Sequence, residues 1–174
     1  MKSVWSNSVE FPQFERLEGT VKTDVLIIGG GICGILCAYM LKKSGVDCIV
    51  AEANRICSGI TKNTTAKITC QHGLIYDKII NKYGLENAQL YYESQKKALD
   101  MYKFLCKNIE CDFVESDSYV YSKTNREKIE KEVRALERIG VDAEFTLKTE
   151  LPFTVGGGAI AMKNQAHFNP LKFI

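Results

Sequence analysis

Three glycines in a row end an apolar run in the stretch DVLIIGGGICGILCAYML, residues 24–41, and they decide how it can fold. Seventeen of these eighteen residues are uncharged, and Lys42 and Lys43 follow, the arrangement of a membrane span. A span needs about 20 apolar residues in one helix. The run from Val25 to Leu41 is shorter and carries the triplet near its start. Each interior glycine costs a helix about 1 kcal/mol relative to alanine, so a continuous helix is disfavoured there. Thr23–Ile28 reads instead as a short β-branched strand buried on both faces. Gly31–Ser44 reads as a helix packed against it, stopped by Gly45 where a left-handed backbone suits glycine best. Asp47–Glu52, DCIVAE, is a second strand-length run. Strand, glycine turn, helix and strand make one βαβ unit of about thirty residues.

Gly29-Gly30-Gly31-Ile32-Cys33-Gly34 fits the pattern G-x-G-x-x-G, with Ala38 four residues on. Alone the pattern is weak. Here a strand precedes it, a helix follows it, and Glu52 closes the next strand, which is the context a dinucleotide site requires. Gly29 allows the tight turn, Gly31 lets a pyrophosphate approach the backbone, and Gly34 and Ala38 let the helix lie close to the sheet. The helix N-terminus presents unpaired N–H groups to a diphosphate. Glu52 is placed to accept hydrogen bonds from ribose hydroxyls, and its charge disfavours a 2′-phosphate.

Residues 1–22 lack periodicity and read as an extended arm. Residues 53–69 are polar, rich in threonine, and read as a loop that contains Gly59. A long amphipathic helix runs from about Glu86 to Lys107, with Tyr91, Ala98 and Leu105 on one ladder and Tyr92, Leu99 and Cys106 on the next. CDFVES and SYVYS suggest a strand pair or a bulged strand. A second amphipathic helix follows a capping box at Thr124–Glu127. Its core stripe is Ile129, Val133, Leu136 and Ile139, its supporting pairs are Glu127–Lys131 and Glu130–Arg134, and Gly140 ends it. Val141–Leu147 is a candidate strand, Gly156–Met162 a strand or closely packed loop. Asn169-Pro170 reads as the cap and first residue of a helix. A chain that stops one turn into that helix is expected to be part of something longer.

Composition narrows the partners. A net charge of +2 and a pI near 8.1 are too mild for nucleic acid or an anionic membrane. Seven cysteines, several inside apolar runs, behave as small buried hydrophobes, and with no signal-peptide core at the start they point to a reducing, cytoplasmic setting. Cys70-Gln71-His72 has the Cys-x-His spacing that opens a Rieske iron–sulfur site. With only two histidines in the chain and no Cys-x-x-His to follow, no metal site is expected.

The βαβ stretch TDVLIIGGGICGILCAYMLKKSGVDCIVAEA resembles the N-terminal FAD-binding unit of the D-amino-acid oxidase/glycine oxidase superfamily. ITKNTTAKITCQHGLIYDKI and NQAHFNPLKF are similar to the branch whose members often carry a C-terminal Rieske domain. The implied fold is α/β: a Rossmann-like FAD-binding unit over 23–112, a first part of an α+β substrate domain over 113–165, and a helix start returning to the FAD domain over 166–174. The resemblance implies that Gly29, Gly31, Ile32 and Gly34 meet the FAD pyrophosphate, and that Glu52 and Ala53 lie at the adenosine side. Gly59, Thr61, Asn63, Thr64, Thr65, Ala66 and Lys67 would then run beside the diphosphate and flavin; a polar turn satisfying itself is the alternative for those threonines. The implied chemistry is oxidation of a C–N bond in a small amine or amino acid, by hydride transfer to the flavin. Catalytic residues stay unassigned, His167 included, and the expected partners are the missing C-terminal half or a Rieske domain. A non-catalytic nucleotide-binding remnant and a piece of an NAD-dependent dehydrogenase are the competing readings.

Overall fold

The computed structural model describes residues 3–174. In chain order its elements are β1 (Val25–Ile28), α1 (Ile32–Lys43), β2 (Cys48–Ala51), a 3-10 turn at Thr61–Asn63, β3 (Lys67–Ile68), α2 (Tyr76–Tyr83), α3 (Leu85–Cys106), β4 (Val114–Tyr121), α4 (Arg126–Arg138), β5 (Glu144–Thr146), β6 (Ala159–His167) and α5 (Pro170–Phe173). They fall into two compact units. The first joins residues up to Ala66 with Ile109–Asp112 and Asn169–Ile174; the second holds Lys67–Asn108 and Phe113–Phe168.

In the first unit β1 and β2 pair in parallel, Val25 opposite Cys48 through Ile28 opposite Ala51, and α1 makes the right-sized crossover between them. Ile27 faces α1, its Cγ2 being 3.3 Å from where a Cβ on Gly34 would stand. Alternation along a strand sends Leu26 and Ile28 to the other face, where they are 57% and 86% exposed. The expectation of a strand buried on both faces is therefore corrected. Among the described residues the sheet has two strands, and Leu26 and Ile28 lie open on its second face. No residue of α1 is fully buried either. Residues 4–7 form turns, with Ser6 and Ser8 N–H groups donating to the Ser3 and Trp5 carbonyls, so the arm starts folded rather than extended.

The second unit is an antiparallel sheet with helices packed on it. The long strand β6 is central: β4 lies along one edge, and β5 and β3 share the other, at residues 159–161 and 166–167. β4 is one strand whose register shifts between Ser116 and Ser118, the bulged alternative of the sequence reading. Ile129, Val133 and Leu136 of α4 are buried as expected, and Ile139 just beyond it; each such side chain contributes about 1.5–3 kcal/mol. On α3 the Leu99–Cys106 ladder faces the core while Ala98 is exposed.

Two details of α4 differ from expectation. Its cap is Asn125, whose side chain accepts from Lys128 N–H at 3.0 Å, because Thr124 lies one residue outside the turn that closes. Glu130 pairs with Arg126 at 2.7 Å instead of Arg134, while Glu127–Lys131 forms. One acid on the buried stripe escaped the sequence reading altogether. Glu132, 1% exposed, accepts from the N–H groups of Ile75, Tyr76 and Asp77 at 2.7, 2.8 and 3.0 Å, and from Gln71 Nε2 at 3.0 Å. It satisfies the N-terminal donors of α2, which would otherwise be buried without partners. Helix α2, Tyr76–Tyr83, follows the loop and adds a short element before α3. Among the described residues no helix is long and apolar enough to cross a membrane.

Candidate functional site

The site grows out of the chain's departure from β1. At Gly29 the backbone takes φ +106°, a conformation that strains any residue with a Cβ. Its N–H still donates to the Ala51 carbonyl at 2.8 Å, keeping the turn zipped to the end of β2. Gly31 then caps α1 in an extended conformation, offering no side chain to the helix end. Gly34 sits where a Cβ would lie 1.9 Å from the Gly29 carbonyl oxygen, so the first turn of α1 presses on the glycine loop itself.

The N-terminus of α1 has four backbone donors without partners inside the helix, at Gly31, Ile32, Cys33 and Gly34. No acidic residue occupies the first turn, and Lys42 and Lys43 complement the other end, an orientation that leaves the positive end of the helix dipole uncompensated. One of the four donors is taken: Ile32 N–H bonds Thr61 Oγ1 at 3.1 Å. Thr61 is only 6% exposed. A hydroxyl that accepts one hydrogen bond keeps its own proton to donate, and beside Thr61 lies the Cys57 thiol, whose pKa the Thr61 hydroxyl lowers against the larger effect of burial. A Cβ on Gly31 would come within 3.2 Å of the same oxygen; glycine keeps that approach open.

Glu52 closes the other side. Its Oε2 accepts from Gly30 N–H at 2.8 Å and its Oε1 from Asn54 N–H at 2.9 Å. The Gly30 N–H, then that of Asn54, hold the carboxyl below its ordinary pKa against the opposing effect of burial. A carboxylate has about four lone-pair positions, and the N–H groups of Gly30, Asn54 and Ala53 all act on this one, so room is left for an incoming hydroxyl.

Gly29, Gly31, Ile32, Gly34, Glu52 and Thr61 are thus brought together. Ala53 is exposed next to Glu52, and its N–H adds to the lowering of the Glu52 pKa. The remaining loop residues spend their polar groups locally. Asn63 Nδ2 donates to the Gly59 carbonyl at 3.0 Å, and Thr64 Oγ1 accepts from Ala66 N–H at 3.2 Å. Thr65 is exposed and Ala66 buried at φ +56°. For Asn63 and Thr64 the self-satisfied turn describes these contacts.

Three residues at the site had no sequence signal. Gly30, the variable position of the motif, supplies the N–H for Glu52, and a Cβ there would meet Ile56 Cγ2 at 2.9 Å. Cys57, at φ +56°, donates its N–H to the Gly30 carbonyl at 2.9 Å with its sulfur 3.6 Å from the same oxygen; burial pushes its thiol pKa up. Trp5 reaches the loop from 59 residues away, its Nε1–H donating to the Thr64 carbonyl at 2.9 Å.

In the second unit Cys70 is buried with its thiol pKa raised by burial, the opposite of what a thiolate ligand needs. His72 pairs with Gln95 and His167 with Ser116, each at 3.2 Å. Among the described residues no group of His, Cys, Asp and Glu is placed to hold a metal ion.

A dinucleotide fits this loop on three counts: the open approach at Gly31, the unpaired donors of α1, and a carboxylate held ionised at the end of β2. The family model for FAD dependent oxidoreductases, DAO, matches residues 24–174. The chain is 39% identical over 178 residues to the putative Rieske 2Fe-2S iron-sulfur protein YhfW of Bacillus subtilis (strain 168), covering 99% of this chain and 35% of that one. It is 23% identical over 171 residues to gamma-glutamylputrescine oxidoreductase of Escherichia coli (strain K12), covering 93% and 40%. Among solved structures, L-proline dehydrogenase from P. horikoshii matches with a TM-score of 0.67 at 18% identity, over 87% of this chain and 39% of that one. Glycine oxidase from Geobacillus kaustophilus matches with a TM-score of 0.65 at 18% identity, over 87% and 42%. The chain therefore spans well under half the length of these relatives. With a Rossmann-like βαβ unit, its glycine loop and a family match that runs from β1 to the last residue, the chain belongs to the DAO family of FAD-dependent oxidoreductases.

Proposed function

We propose that this chain supplies the adenosine-diphosphate side of the FAD site in an enzyme that oxidises a C–N bond of a small amine or amino acid. The single observation that carries the reading is the pairing of Thr61 Oγ1 with Ile32 N–H at the open N-terminus of α1. In it the diphosphate lies against Gly31, Cys33 and Gly34 N–H, and Thr61 donates its hydroxyl proton to a phosphate oxygen. Glu52 accepts from a ribose hydroxyl with the lone-pair capacity that its backbone partners leave unused. Ala53, Gly59, Asn63, Thr64, Thr65 and Ala66 shape the loop beside it, through backbone rather than side-chain groups. When bound, FAD supplies the two-electron acceptor for hydride from carbon.

Leu26 and Ile28, exposed on the face of β1 away from α1, support a further proposal on partners. A parallel sheet is ordinarily covered on both faces, and the rest of a longer oxidoreductase, with or without a Rieske domain, is the cover. The same exposure favours the second reading, nucleotide binding without turnover by these 174 residues alone. Cytoplasmic residence belongs to the same proposal and rests on the seven cysteines of the sequence, several of them inside apolar runs.

Titration of the purified chain with FAD, followed by the flavin absorbance and fluorescence, tests the reading. Saturable binding that ADP competes away, and that Glu52→Ala weakens, is the expected result. No saturable binding overturns it. Assays with amines and amino acids on the loaded protein then separate the oxidoreductase from the binding-only reading.

A further inference from the structure

The N-terminal segment lies outside the residues of the glycine motif, yet it holds the loop that carries Thr61. Residues 3–8 are a compact turn. Trp5 N–H bonds Ser3 Oγ at 3.2 Å, and Ser8 N–H and hydroxyl both reach the Trp5 carbonyl, at 2.9 and 2.7 Å. From this turn two contacts leave. The Trp5 indole N–H donates to the Thr64 carbonyl, and Ser8 Oγ lies 3.3 Å from Asn169 Oδ1.

Both endpoints bear on the 3-10 turn at Thr61–Asn63. Thr64 is its C-terminal cap, with an extended backbone at ψ 156°. Asn169 caps α5 by accepting from Leu171 and Lys172 N–H, and α5 packs against the same 3-10 turn. Asn169 is itself steadied by Asp112, which also pairs with Lys172 at 2.7 Å. The short turn, with its hydroxyl on the end of α1, is thus gripped at its end by Trp5 and supported by α5. A single turn of this length has too few internal hydrogen bonds to fix its own position. Two residues on, Ala66 holds a left-handed backbone that persists only where neighbours determine it.

We infer that Trp5 is a positioning residue for dinucleotide binding: its indole N–H fixes the loop that delivers the Thr61 hydroxyl to the phosphate side of α1. The inference rests on the reading that FAD binds at that helix end. It assigns the arm a part in cofactor affinity, and it gives the 3–8 turn a reason to be folded.

The chain has one tryptophan, so its indole N–H is a single resonance in a proton–nitrogen correlation spectrum, and the wild-type protein carries its own reporter. Addition of FAD is expected to shift that resonance in step with the flavin binding curve. Trp5→Phe keeps an aromatic side chain but removes the donor, and is expected to weaken FAD binding about 2- to 10-fold, the change that goes with one neutral hydrogen bond. An indole resonance indifferent to saturating FAD, or Trp5→Phe binding FAD as wild type does, overturns the inference and leaves the FAD site standing. Failure of the wild-type chain to bind FAD overturns both. Should Trp5→Phe not fold, the wild-type spectrum alone decides.

Discussion

Replacing Gly34 by alanine puts the closest contact of the site under direct test. The new Cβ would stand 1.9 Å from the Gly29 carbonyl oxygen, 3.2 Å from its carbon and 3.3 Å from Ile27 Cγ2. Carbon and oxygen approach to about 3.3 Å, so α1 or the glycine loop must retreat by roughly 1.4 Å. The obstacle is backbone, zipped to β2 through Gly29 N–H and Ala51, and has no rotamer to change. Overpacking of this kind costs about 1–3 kcal/mol, and the rigid obstacle places it at the upper end. Alanine returns up to about 1 kcal/mol as the better helix former. The net loss of about 2 kcal/mol lowers the melting temperature by roughly 4–8 °C for a chain of this length. On the proposed site the same retreat would pull the donors of α1 away from the diphosphate, where one charge-assisted hydrogen bond is worth about 1.5–3 kcal/mol, so FAD affinity should fall at least about tenfold. Gly59→Ala is the control, because nothing lies within 4 Å of its Cβ and its φ is ordinary; it should be neutral or stabilise by up to about 1 kcal/mol. Differential scanning fluorimetry and flavin titration read both variants. Gly34→Ala with wild-type melting and wild-type affinity would refute the geometry on which the site rests.

Glu132→Ala leaves the N–H groups of Ile75, Tyr76 and Asp77 without their buried acceptor and should destabilise by about 3–5 kcal/mol, measured by urea denaturation; a loss under about 1 kcal/mol sinks the account of α2 capping. Because Glu52 has a folded pKa below its ordinary value of 4.5, its contribution is fully present above that value and is lost as pH falls through the lower folded one. Glu52→Gln should therefore lose stability at neutral pH and show a flatter melting profile between pH 5 and the acid limit, with an unchanged slope arguing against the Gly30 contact. Cys33 and Cys37 are exposed and Cys57, Cys70, Cys106 and Cys111 buried, so Ellman's reagent should titrate the first pair quickly in the native chain and the buried four only after denaturation; fast native reaction of Cys57 would contradict its place against Gly30.

The glycine loop, the helix after it and the acid closing β2 were legible from residues 24–52, because each is dictated locally. A triple glycine disfavours a continuous helix, and a short β-branched apolar run that ends at it favours a strand. The amphipathic stripes of α3 and α4 were legible for the same reason, since 3.6-residue periodicity depends on neighbours along one helix. What sequence proximity does not encode came from the tertiary structure. Thr61 was one polar residue among several in its loop until the fold set its hydroxyl on Ile32 N–H, 29 positions away. Glu132 is one of several charged residues along α4 in the sequence, and its burial follows from three N–H groups at the start of α2, 55 to 57 positions distant. Trp5 stood in an aperiodic arm, and only the fold brings its indole to Thr64. The chain's own pattern determined the glycine turn at which a dinucleotide is proposed to lie. Long-range hydrogen bonds, which pair donors with acceptors across space and leave no period in the residues between, decided which side chains hold that place in shape.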